Sequence, residues 1–343
     1  KSAEAKPPAP EPRFWARVAW AHYIRGEYKE AAGARGRIAW FGKNQAEDDP
    51  EVMLVDAALT LAAGQPDKTL DLASRIEGVR PRLLRAQAQL DLKNAKGAQE
   101  DLTWILEKAA DNLEAQMLLE QTRMMLGSEK ERAASAEKLE SLARKTKSKI
   151  GRHVLGMGYL LSGNLKDAQT ALQQAITGVT EDEPNQLSYR TRTALAEIHL
   201  ANGDIKAAGD ELDKALGTNS AYFPTRIMQA RVVLKNNDPD RALNLLTPIM
   251  KDVSSPEVSL LQVEAICASK STNAKQKDDA KKVVGELKDA RFNLPIEELS
   301  RVAAVCDPNL PKELGLPEPG SAAAAPAPKP TKPNKPNKRR RGR

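Results

Sequence analysis

Two cysteines, three histidines and 4% aromatic residues in 343 positions leave little material for several kinds of protein. Cys267 and Cys306 lie far apart in sequence and define neither a disulfide framework nor a zinc site, which ordinarily takes four ligands. Core positions are the expectation for both. His22, His153 and His199 are scattered, and none has a second metal-type residue at helical spacing. Phosphate-cradling glycine loops, HExxH and GxSxG are all missing, so neither catalysis nor a cofactor nor a bound metal is expected. No run approaches the ~18 to 20 apolar residues that cross a bilayer. Strand-like runs of Val, Ile, Thr and aromatics between turn signals are also missing, which excludes a β architecture.

Alanine, leucine and charge fill the space: 41% of the chain is hydrophobic and 29% charged. That mixture favours packed helices. The net charge of +7 is unevenly placed, because the last fifteen residues hold eight Lys and Arg and no acid. Everything before Lys329 is therefore one charge short of neutral.

In such a sequence the organising signal is repetition. A glycine or asparagine breaker, then a capping or turn residue, then a small residue recurs at Gly26, Gly64, Lys93-Asn94, Gly163, Gly203 and Asn237. A degenerate copy falls near Gly127, and the seven anchors are spaced by about 35 residues, the length of two short helices and their turns. Columns not used to choose the anchors support them. Seven residues before lie Ala19, Ala57, Ala86, Gly156, Ala196 and Ala230; five after lie Ala31, Thr69, Ala98, Ala168, Ala208 and Ala242. Helices that cross closely need small side chains where their axes approach. Twelve after come Ile38, Ile76, Ile105, Ala175, Ala215 and Ile249, an apolar column expected between hairpins. The copy at Gly127 lacks the small column.

Together with Tyr28 after Gly26, Tyr159 before Gly163 and Pro81 ahead of the third hairpin, the pattern resembles the tetratricopeptide repeat. The resemblance covers roughly residues 13 to 250, with a looser eighth hairpin at 256 to 290. It implies an all-α, right-handed α-solenoid of seven to eight hairpins. The expected organisation is a linker at 1–12, the array at 13–292, an irregular extension at 293–316 and a disordered Pro/Ala/Lys/Arg tail at 317–343. A chain that starts at Lys1 in a Pro/Ala/Lys linker is expected to continue upstream. Its alanine richness points to a bacterial source.

In the resembled family, partners lie in the concave groove lined by the first helix of each hairpin. Thirteen, ten and six residues before the anchors select Arg13 and Trp20, His153 and Met157, Arg190 and Glu197, and Arg231 as groove candidates. Arginine and aromatic anchors are the usual hot spots of binding. No asparagine falls in these columns, so the carboxylate clamp of chaperone-binding relatives is not expected. Trp15, Trp20, Trp40 and Phe41 cluster in the first hairpin and are expected as its core. The implied function is a scaffold or adaptor for a protein partner; the alternative is a regulatory module of a larger signalling enzyme or envelope machine. Cytoplasm and periplasm both remain open. A further route to a partner is the tail: Lys335, Lys338, Arg339, Arg340, Arg341 and Arg343 could tether nucleic acid, anionic lipid headgroups or an acidic protein.

Overall fold

The computed structural model describes residues 11–39, 48–146, 149–177, 187–253, 255–289 and 294–320. Among these residues every regular element is helical. The first compact unit runs to Val258 and the second begins at Ser259.

Among the described residues, the first unit holds seven helical hairpins, and their turns explain their boundaries. Hairpin 1 pairs Pro12–Ile24 with Tyr28–Ile38, hairpin 2 Pro50–Ala62 with Pro66–Ser74, and hairpin 3 Val79–Asp91 with Ala95–Lys108. Hairpins 4 to 7 pair Leu113–Leu126 with Glu129–Thr146, Lys149–Leu161 with Leu165–Ile176, Ser188–Ala201 with Ile205–Thr218, and Phe223–Lys235 with Pro239–Ile249. Six of the seven anchors adopt a positive φ: Gly26, Gly64, Lys93, Gly163, Gly203 and Asn237. A left-handed residue ends a helix and lets the chain reverse at once. The next helix then starts on a side-chain cap: Asn94, Asn164, Asp204 and Asp238 each accept a backbone N–H from three residues ahead.

The small-residue columns lie where the helices cross. All eleven alanines and threonines of the two columns around the anchors are fully buried, and Gly156 is buried with them. A Cβ on Gly156 would come within 2.5 Å of Leu172 Cγ. Thr69, the threonine among the alanines, keeps its hydroxyl satisfied against the Gln65 carbonyl and Thr60. In the column between hairpins, Ile38, Ile105, Ala175, Ala215 and Ile249 are buried and Ile76 is half-buried.

Hairpin 4 departs from the rule for a visible reason. Gly127 is extended rather than left-handed, and the small-column position holds Glu120, buried and bonded to Arg123 at 2.7 Å and Lys138 at 2.5 Å. A buried carboxylate needs such partners, and the second helix, at 18 residues, carries Lys138 to it.

The second unit contains most of Pro256–Ala268, together with Ala274–Asp289, Ile296–Cys306 and Leu310–Glu313. Two sequence expectations need correction here. Residues 296–306 are helical rather than irregular, because Pro295 and Pro311 sit at helix starts, where a missing N–H is harmless. Cys267 and Cys306 are bonded to each other. Cys267 lies in the core with Leu260, Val263, Val284, Leu299 and Val302, and Cys306 packs half-buried against it. Glu264 and Arg301 pair across the same two helices.

Candidate partner-binding surface

The groove candidates meet different fates. Arg13 is exposed and donates to Asp49 at 2.7 Å, on the cap of hairpin 2. Trp20 is half-buried against the cores of hairpins 1 and 2, with the Arg80 guanidinium 5.3 Å from its ring centre. Met157 is half-buried against the cluster that includes Leu172 and Leu195. Glu197 is exposed. Arg231 is half-buried, and its Nε is enclosed without a hydrogen-bond partner. The tail residues, and Trp40 and Phe41 of the expected aromatic cluster, lie outside the described residues.

His153 is buried 2.9 Å from Thr191 Oγ1. The Thr191 hydroxyl already donates to the Leu187 carbonyl, so it accepts from the imidazole, and the ring proton sits on Nδ1. Burial, with Arg190 adding repulsion, pushes this histidine down to about 3. It is neutral near pH 7.

Arg190 is fully engaged. Its Nη1 donates to both carboxylate oxygens of Asp91 at 3.0 Å, and its Nη2 donates to the Leu61 carbonyl at 2.7 Å. The partners lie in hairpins 3 and 2, far away in sequence. Two more bonds accompany it: Asn219 Nδ2 donates to the Ala62 carbonyl at 3.0 Å, and the Phe223 amide to the Ala63 carbonyl at 2.9 Å. Leu61, Ala62 and Ala63 end the first helix of hairpin 2, where carbonyls run out of helical N–H donors; that of Leu61 also accepts the Gly64 amide at 3.0 Å. Hairpins 6 and 7 thus cap a helix of hairpin 2. The approach is close enough that a Cβ on Gly64 would lie 2.3 Å from Pro224 Cδ.

Tyrosines surround this clasp. Ring centres run Tyr23 to Tyr28 at 6.0 Å, Tyr28 to Tyr189 at 5.3 Å and Tyr189 to Tyr222 at 4.8 Å, the last three rings meeting edge to face. Four of the chain's five tyrosines are here. Burial raises Tyr23, Tyr28 and Tyr222 above the ordinary phenol range. Glu114, which accepts from Gln87 at 2.6 Å, is also raised by burial. Sequence reasoning did not find Asp91, Asn219 or the tyrosines as a group; the one available hint was how few tyrosines there are to place.

Hairpins of two short helices, reversed at a left-handed residue and crossed on small side chains, define a helical repeat protein. Residues 154–222 match the tetratricopeptide repeat family model. Among solved structures, the chain is similar to one in the crystal structure of the APC/C hetero-tetramer Cut9–Hcn1, at 15% identity with a TM-score of 0.53. That match covers 83% of this chain and 54% of the other. It is also similar to TTC0263, a thermophilic TPR protein of Thermus thermophilus, at 22% identity with a TM-score of 0.40, over 54% of this chain and all of that one. The likeness to the Cut9–Hcn1 chain is one of fold. No curated protein matches. Arrays of this class act in general as protein-interaction scaffolds. Among the described residues no helix is long and apolar enough to cross a membrane, and no group of His, Cys, Asp and Glu could hold a metal ion.

Proposed function

We propose that the chain is a non-catalytic scaffold that holds a segment of a partner protein on the inner face of its hairpins. The observation that carries this reading is the periodic array itself, whose stacked hairpins present a continuous row of first helices with exposed side chains such as Glu197 beside the half-buried Arg231 and Trp20. Trp20 and Arg231 are the strongest of these, because half-buried aromatic and arginine side chains are the usual anchors of binding. The test is quantitative affinity capture with the full chain against Trp20→Ala and Arg231→Ala. Proteins retained by the parent should be depleted from both variants while far-ultraviolet circular dichroism is unchanged. Identical capture by all three removes this surface from consideration.

The disulfide supports an oxidising compartment for this activity. Both of the chain's cysteines are spent in one bond, and such bonds persist where thiol buffers do not reduce them. Trapping thiols with an alkylating mass tag in intact cells should leave the protein unlabelled; two tags per chain would place it in a reducing compartment. A second reading, anionic anchoring through the tail, is favoured by the eight positive charges among the last fifteen residues. Removing everything after Leu316 should then abolish binding to vesicles containing phosphatidylserine or to duplex DNA, and with DNA the parent's log–log salt slope should approach about −7.

A further inference from the structure

The clasp joins hairpins that are not neighbours in the array. Adjacent hairpins stack through alanine, leucine and isoleucine, with polar pairs such as Arg35–Asp56, Gln87–Glu114 and His153–Thr191 beside them. Where hairpins 6 and 7 meet hairpins 2 and 3, the contact consists of a guanidinium on a carboxylate, hydrogen bonds to three helix-terminal carbonyls, and tyrosines that carry hydroxyls. Its two sides are joined by no neighbouring element. Sequence separations of 99, 129 and 157 residues divide the bonded pairs. Asp91 keeps 27% of its side chain in water and Arg190 13%, so this is a contact that solvent can enter. Polar, partly wetted contacts between pieces of one chain are the kind that open and close.

The surface beneath it is equally distinctive. Tyr23, Gln87 and Glu114 come from the first helices of hairpins 1, 3 and 4; Gln87 donates to Glu114 at 2.6 Å, and Tyr23 lies within electrostatic reach of Arg190, Asp91 and Glu114. Half-buried polar groups beside such a contact are unfavourable to keep and favourable to use.

We propose that the Arg190–Asp91 clasp is a latch over the inner face: a partner segment gains Tyr23, Gln87 and Glu114 only when Arg190 and the Asn219–Pro224 turn leave the end of the Pro50–Ala62 helix. The segment that fits the vacated site must replace what the latch supplies, namely a guanidinium for Asp91 and N–H donors for the carbonyls of Leu61, Ala62 and Ala63. An arginine-bearing segment with aromatic neighbours, copying Tyr189-Arg190, has that chemistry. This inference rests on the scaffold reading above, but its first test needs no partner.

Because both native cysteines are in the disulfide, cysteines introduced at the exposed positions Lys68 and Lys235 accept spin labels selectively. In the otherwise unaltered full chain, double electron–electron resonance should give a narrow distance distribution. Arg190→Gln, and separately Asp91→Asn, should each raise the long-distance population at least tenfold, the effect expected from losing about one charge-assisted hydrogen bond. Helicity and hydrogen-exchange protection of the Ala columns should stay intact. An unchanged distribution in both variants overturns the latch. So does loss of protection throughout all seven hairpins, which would make the clasp part of one cooperative core. In a second arm, affinity capture should recover more partner with Arg190→Gln than with the parent. Opening seen by resonance with equal, non-zero capture would sink the latch and leave the scaffold reading standing; no capture by either form would instead count against the scaffold.

Discussion

The residues up to Val258 and those from Ser259 onward solve the same problem by different means. In the first unit a hairpin cannot bury its own apolar face, but it has neighbours, and repetition of one small-residue crossing supplies the core. In the second, three helices and a short turn have only a few apolar layers to share, and a covalent bond between Cys267 and Cys306 joins two of them. The lesson is that repetition is a substitute for cross-linking: a fold with enough equivalent contacts needs no staple, and a short unit gains from one.

That contrast can be broken most severely at the disulfide. Cys267→Ser with Cys306→Ser should destabilise the second unit by about 4 kcal/mol, the loop-closure value for a bridge between residues 39 apart. Exchange protection should fall across Ala274–Asp289 and stay unchanged across hairpins 2 and 3. Equal loss in both places would show that the two units are one cooperative system. The matching lesion in the repeats is Ala208→Leu. Overpacking a fully buried crossing should lower stability by roughly 2 to 3 kcal/mol, read as a shift in the urea midpoint, with residues 274–289 keeping their protection.

A pH experiment sharpens the comparison further, since the buried histidine belongs to the first unit. His153 is held near 3 in the folded chain against about 6.5 when unfolded. Between those values the unfolded chain binds the extra proton, so stability is complete above pH 6.5 and falls as the solution is acidified towards pH 3. At pH 5 the loss from this group should be about 2 kcal/mol relative to pH 7. His153→Gln should flatten that part of the urea-midpoint profile; an unchanged slope would mean the imidazole is not enclosed. The smallest effect serves as the control. Arg75 and Asp71 form an exposed pair one turn apart, and Arg75→Ala should move the midpoint by no more than about 0.5 kcal/mol.

What could be read in the sequence follows the range over which each interaction acts. The anchors at Gly26, Gly64, Gly163 and Gly203 are local, because a left-handed turn and the helix cap behind it are encoded in a few adjacent residues. The alanine columns are also nearly local, since each pairs two helices joined by a short turn. The array was legible for those reasons, and the weak copy at Gly127 was legible through the absence of its small residues. Glu120 filling that column with Arg123 and Lys138 was not, because the reach of Lys138 depends on the helix's length and register. Cys267 and Cys306 gave no signal at all: two thiols without a family pattern are compatible with a bond, a core or a surface. The clasp was least accessible. Column arithmetic can say that Arg190 faces inward, but whether Asp91 stands opposite depends on small rotations accumulated over the hairpins between them.

That last dependence has an evolutionary corollary. Arrays of stacked repeats ordinarily change length with ease, since a duplicated or deleted unit finds the same neighbours on either side. Here the chain measures itself. Adding or losing one hairpin between Gly64 and Pro224 would carry the glycine and the proline past one another and leave the Leu61, Ala62 and Ala63 carbonyls facing the wrong residues. A protein built from interchangeable parts has thereby acquired a fixed number of them.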